Sequence, residues 1–78
     1  MIKTLTLDDV PPGLPVVVQG PHLDSAYTRR LAELGIRVGA SVSVLMRTAG
    51  GGGVITVDDS RIALDSRTLR QIPVTSQV

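Results

Sequence analysis

The chain has 78 residues, 42% of them apolar, and its eight basic and seven acidic side chains leave a net charge of +1. A chain of this length makes one small domain that buries only about 60% of its unfolded surface. It has no cysteine, so disulfides and thiolate metal sites are excluded. The two signs of charge are interspersed and Tyr27 is the only aromatic residue, so the basic face and stacking platform of a nucleic-acid binder are both missing. No apolar run approaches the ~20 residues that span a bilayer. The first residues lack the apolar stretch of a signal peptide, which makes the cytoplasm the expected location and excludes direct membrane insertion.

Thr6 to Val10 reads as a short helical turn, with Thr6 as N-cap and Asp9 three residues on as a capping-box variant. Pro11-Pro12-Gly13 stops it. Leu14 to Gln19 contains three consecutive β-branched valines and predicts a strand, ended by Gly20-Pro21. Asp24 or Ser25 can then cap a helix running to about Leu34, whose Leu23, Ala26, Tyr27, Leu31 and Leu34 form one apolar face. Gly35 supplies the left-handed exit, with Ile36 placed to touch Leu31, and Gly39 makes a second bend. In the strand Val42–Met46, residues Val42, Val44 and Met46 alternate with Ser43 and Leu45. After Gly50–Gly53, read as a flexible hairpin loop, come a strand Val54–Val57, a turn Asp58-Asp59-Ser60 and a strand Arg61–Leu64. One helical turn over Ser66–Arg70 and a last strand Gln71–Val74 follow, and Thr75 to Val78 reads as a frayed tail. The expectation is a mainly β, α+β domain of about five short strands, closed or nearly closed into a small barrel with an inserted helical segment.

These parts, in this order, resemble the FeoA family, small cytosolic accessory proteins of bacterial ferrous iron uptake. The resemblance runs from about Leu5 to Val74. It rests on Leu7-Asp8-Asp9-Val10-Pro11-Pro12-Gly13, on Val16–Gly20, and on Arg30-Leu31-Ala32-Glu33-Leu34-Gly35-Ile36-Arg37-Val38-Gly39. It also rests on the late pair Val54-Ile55-Thr56-Val57 and Arg61-Ile62-Ala63-Leu64, and on Ile72-Pro73-Val74. It implies an SH3-like barrel over residues 1–78, with no established enzymatic activity, that binds the cytosolic G-protein region of the membrane transporter FeoB. Two positions depart from the pattern: Asp58-Asp59-Ser60 stands where the family commonly turns on Gly, and Leu69 where a small residue is common. The same barrel occurs as the C-terminal domain of diphtheria-toxin-repressor-type metalloregulators, which carry a DNA-binding domain upstream. A chain of this length has no room for one and is expected to be free-standing.

Several residues invite a chemical reading. The Gly50–Gly53 run leads into a strand and has no Lys, so it is no Walker loop. Asp58 and Asp59 are adjacent in a turn and diverge, which is wrong for a general acid–base pair. His22 is the only histidine and with Asp24 could offer two ligands to Fe2+ or Zn2+, where a native site needs three or four. No cofactor is therefore required, and weak Fe2+ or Zn2+ binding is assigned to His22 and Asp24. Arg29, Arg30 and Arg37 form a local basic edge whose planar donors suit acidic residues of a partner, and Glu33 stands at pairing distance from Arg29 and Arg30. Tyr27 is the aromatic anchor candidate, and Gly51 and Gly52 complete the partner-binding set. Leu31, Leu34, Gly35 and Gly39 are assigned to architecture.

The leading reading is a non-enzymatic FeoB-binding module, cytoplasmic and membrane-associated through the transporter. The alternative is a small Fe2+ or transition-metal sensor or carrier. A proline-peptide binder ranks last, because one tyrosine cannot line an aromatic groove. Self-pairing through an exposed strand edge would make a homo-oligomer.

Overall fold

The structure, a computed structural model, describes residues 5–19 and 25–76, the side chains of 25–28 excepted. Six strands, β1 (Leu5–Thr6), β2 (Val16–Val18), β3 (Ser41–Arg47), β4 (Gly53–Val57), β5 (Ser60–Leu64) and β6 (Pro73–Ser76), form one antiparallel sheet in the order β1-β6-β2-β3-β4-β5. Helix α1 (Ser25–Glu33) joins β2 to β3 and helix α2 (Ser66–Arg70) joins β5 to β6. Two 3-10 turns occupy Leu7–Asp9 and Ala49–Gly51. At the first of them the Asp9 carboxylate accepts from the Thr6 N–H at 3.0 Å and from its hydroxyl at 3.3 Å, the capping-box contact expected from their spacing.

Among the described residues the sheet holds one strand more than the expected five, and no strand pairing joins β1 to β5. The chain leaves β1 after two residues for the 3-10 turn, and that turn packs on α2. Helical pieces, not further strand pairing, cover this side of the core. Leu7, Val16, Val44, Ile55, Leu69 and Ile72 are the largest fully buried side chains. The last strand also lies later than expected. Pro73, which has no N–H to give the ladder, is its first residue, and Thr75 and Ser76 pair with Val17 and Val16 instead of fraying.

In β3 the alternation breaks. Val42 pairs with Val57 and Val44 with Ile55, but Met46 pairs with Val54, so Leu45 is an extra residue in the strand. This bulge shifts the inside–outside phase by one. Met46, expected inside with Val42 and Val44, is 52% exposed, and Leu45 is 44% exposed beside it. The outer face of β3 is pinned elsewhere by a hydroxyl pair, Ser43 Oγ to Thr56 Oγ1 at 2.7 Å across a directly opposed pair of residues.

Candidate functional site

The exit of α1 is built as the glycines and leucines predict. The Ile36 N–H donates to Leu31 O at 2.9 Å and the Gly35 N–H to Ala32 O at 2.9 Å, the two bonds of a Schellman closure. Gly35 has φ +98, where an L side chain is strained, and a Cβ there would stand 3.1 Å from Val57 Cγ1. Leu31 and Ile36 are buried together in the core, and burying Ile36 contributes about 2 kcal/mol. Leu34, assigned to architecture, lies within this closure, its N–H donating to Leu31 O at 3.0 Å, and its side chain is 44% exposed. Arg37 and Ala40 then close a turn, Ala40 N–H to Arg37 O at 2.9 Å, with Gly39 at φ +89 inside it. The Gly39 N–H docks this turn on Val18 O at 2.8 Å.

This geometry leaves a cavity of about 350 Å3 between α1, the Ile36–Val38 segment and the β6 end of the sheet. Its walls are mainly apolar, with Val18, Leu31, Ile36, Val38, Ile72 and Pro73 among them. Arg37 also lines it and is exposed, and Val38 is 61% exposed. Arg29 and Arg30 lie exposed on α1 a turn or so earlier. Glu33 makes no ion pair with either, so the arginines keep their charge for solvent or a partner; among the described residues the ion pair is Arg47–Asp8. The side chain of Tyr27, and all of His22 and Asp24, lie outside the described residues. Among the described residues no three of His, Cys, Asp or Glu gather into a metal-binding group.

The glycine loop is a different place. Gly35 approaches Val57 at one end of β4, whereas the loop leads into Gly53 at the other end. Gly51 is exposed, but Gly52 is buried and cannot serve as a contact residue. A Cβ on Gly52 would lie 2.7 Å from Leu64 O and 3.0 Å from Thr48 Oγ1, so the glycine is there to let two backbones approach. Nor is the loop loosely held. The Thr48 N–H donates to Gly52 O at 2.9 Å, and the Arg47 Nη2 donates to Gly51 O at 2.9 Å. The same guanidinium pairs with Asp8 Oδ1 at 2.6 Å and donates to Asp8 O at 3.2 Å, tying the first 3-10 turn to the loop. Arg47 escaped the sequence reading because its partner lies 39 residues away. Leu69, the bulky departure, is fully buried, and its Cδ1 comes within 3.5 Å of where a Gly53 Cβ would be; the missing side chain at Gly53 makes room for it.

At the far end of β5, Asp65 caps α2 by accepting the Thr68 N–H at 2.8 Å. The hydrogen bonds from Thr68, aided by Arg67 and Arg70, hold its carboxyl below the ordinary 3.8. No helix among the described residues is long and apolar enough to cross a membrane.

The fold has close counterparts. FeoA from Chlorobium tepidum superposes with a TM-score of 0.85 at 21% identity, over 95% of this chain and 71% of that one. FeoA of Stenotrophomonas maltophilia, an SH3 domain protein solved in complex with zinc, superposes with a TM-score of 0.74 at 29% identity, over 90% of this chain and 88% of that one. A manganese-dependent transcriptional repressor gives 0.80 at 24% identity over 97% of this chain but only 43% of its own length, so there the fold is one part of a longer protein. No curated protein sequence matches the chain. The FeoA domain matches over residues 5–76, from the first strand of the sheet to the end of the last. The chain therefore belongs to the FeoA domain family, which is linked to ferrous iron transport.

Proposed function

We propose that this protein is a non-enzymatic accessory module of bacterial ferrous iron uptake that works in the cytoplasm by binding the cytosolic G-protein region of FeoB. The observation that carries the reading is the apolar cavity at the α1 exit with Arg37 exposed on its rim. Its chemistry suits an apolar side chain of the partner flanked by a carboxylate, with Arg29 and Arg30 extending the positive edge. The contact surface is accordingly narrower than the whole run from α1 to the glycine loop: buried Gly52 drops out, and exposed Gly51 sits at the far end of β4. Docking there would alter the assembly or nucleotide cycle of the transporter. The test is calorimetric titration of the chain against full-length FeoB and its cytosolic region. Arg37→Glu and Val38→Glu, both at exposed positions, should each weaken binding about tenfold while the circular dichroism stays unchanged. Wild-type affinity in both variants would remove the cavity from the mechanism, and no binding by the wild type would remove FeoB.

A second reading, a small Fe2+- or Zn2+-binding sensor or carrier, draws support from the zinc complex of the Stenotrophomonas maltophilia protein. Anaerobic calorimetry separates the two. Stoichiometric Fe2+ binding by the isolated chain, lost in His22→Ala, would favour the sensor.

A further inference from the structure

Among the described residues β5 is the long free edge of the sheet, paired only with β4. Val57 and Ser60 are opposed across a two-residue loop, so the bonded positions toward β4 are Ser60, Ile62 and Leu64. Arg61 and Ala63 consequently turn their N–H and C=O groups to the open side. Their side chains are exposed, while Ile62 and Leu64 are half-buried apolar residues packed against the core from the rim. Arg61 is the one charged side chain that guards the strand, which has no proline, no lysine and no bulge. Extended backbone continues through Asp65, at φ −80 and ψ 169, before α2 begins.

We propose that β5 is a docking surface for a second copy of this chain, the two β5 strands pairing antiparallel about Ala63. The charges select both the occupant and the register. Backbone complementarity requires that outward-facing residues meet outward-facing residues, so Arg61 can meet Arg61, Ala63 or Asp65 of the other copy within the extended backbone, which gives three centres. A centre between two Arg61 residues sets guanidinium against guanidinium. A centre at Ile62 sets Arg61 against Ala63 of the other copy and gains no charge pair. A centre at Ala63 sets Arg61 against Asp65, twice by symmetry, with no like-charge pair along the extended backbone. The same register lays Ile62 against Leu64 of the second copy, covering the two half-buried side chains, and places small Ala63 residues at the two-fold. Leu45, Met46, Val54 and Ala63 then form an outer-face strip continuous with the new pair. The inference is independent of the FeoB reading and stands if that reading fails.

The absence of cysteine allows a clean test in the full chain. In the proposed register the two Cα atoms of residue 63 lie about 5.5 Å apart, within disulfide reach. Those of residue 62 lie two residues out of register and those of residue 61 four, at about 3.4 Å per residue. Under mild oxidation Ala63→Cys should form a covalent dimer about tenfold faster than Arg61→Cys or Ile62→Cys. Sedimentation of the wild type should show a reversible dimer, weakened about tenfold or more by Arg61→Asp, which sets like charges together twice. Faster cross-linking at 61 or 62, equal rates at all three positions, a dimer indifferent to Arg61→Asp, or a strictly monomeric wild type would each overturn the proposal.

Discussion

Replacing Gly52 by alanine isolates the effect of a single methyl group between two backbones. At φ −77 and ψ −169 the residue sits in extended space open to any amino acid, so alanine meets no torsional strain. It would even lower the entropy of the unfolded chain, a gain of about 0.7 kcal/mol. Against that, the new Cβ arrives 2.7 Å from Leu64 O, 3.0 Å from Thr48 Oγ1 and 3.4 Å from Asp65 Cα. The carbonyl is main chain at the junction of β5 and α2 and cannot rotate away as a side-chain tip could. The insertion belongs at the upper end of the overpacking range, about 3 kcal/mol. The net loss is about 2 kcal/mol, and at about 4–8 °C per kcal/mol for a domain of this size the thermal midpoint should fall by roughly 8–16 °C. Gly39→Ala is the matched control: its Cβ meets nothing within 4 Å, and only the left-handed strain at φ +89, about 1 kcal/mol, remains. Differential scanning calorimetry on both variants decides it. If Gly52→Ala melts no lower than Gly39→Ala, the loop yields under contact and the close-approach account is wrong.

Asp58 is the one described non-glycine residue at positive φ, 53°, so Asp58→Gly at the β4–β5 turn should raise stability by about 0.5 kcal/mol in urea unfolding. Arg47→Ala removes the Asp8 pair and the bond to Gly51 O; with the pair about a third exposed, a loss of about 1 kcal/mol is expected. Faster proteolysis or hydrogen exchange at residues 49–52 should accompany it. The Asp65 carboxyl titrates lower in the folded than in the unfolded chain, so its contribution is full above 3.8 and drains as the pH falls through the folded value. Asp65→Asn, which still caps, should therefore flatten the acid limb of the stability profile, and an unchanged limb would assign acid loss to other carboxyls.

How much of this was legible in the sequence depends on the range of the signal. The α1 exit was, because a Schellman closure is written in six consecutive residues, Leu31 to Ile36, each with a local duty. The late hairpin and the α2 turn were legible for the same reason. The two-residue β1 carries no pattern of its own and becomes a strand only because β6 lies alongside it. The bulge at Leu45 was hidden because Val44, Leu45 and Met46 are consecutive apolar residues that fit either phase; only the register against β4 reveals the slipped residue. Four successive glycines look alike in sequence, yet Gly51 is exposed while Gly52 and Gly53 are packed. Within the candidate site, Arg37 was found from its place after the glycine, but the cavity beside it needs Val18 and Ile72, which come from strands far apart in the chain.

The bulge in β3 also decides how the protein meets oxidants. A strand in unbroken alternation would carry the Met46 thioether into the core, where conversion to the polar sulfoxide would split the packing. Slipped outward, Met46 is 52% exposed. There the oxygen added on oxidation points to water, so conversion of Met46 to its sulfoxide should leave the folded core packed.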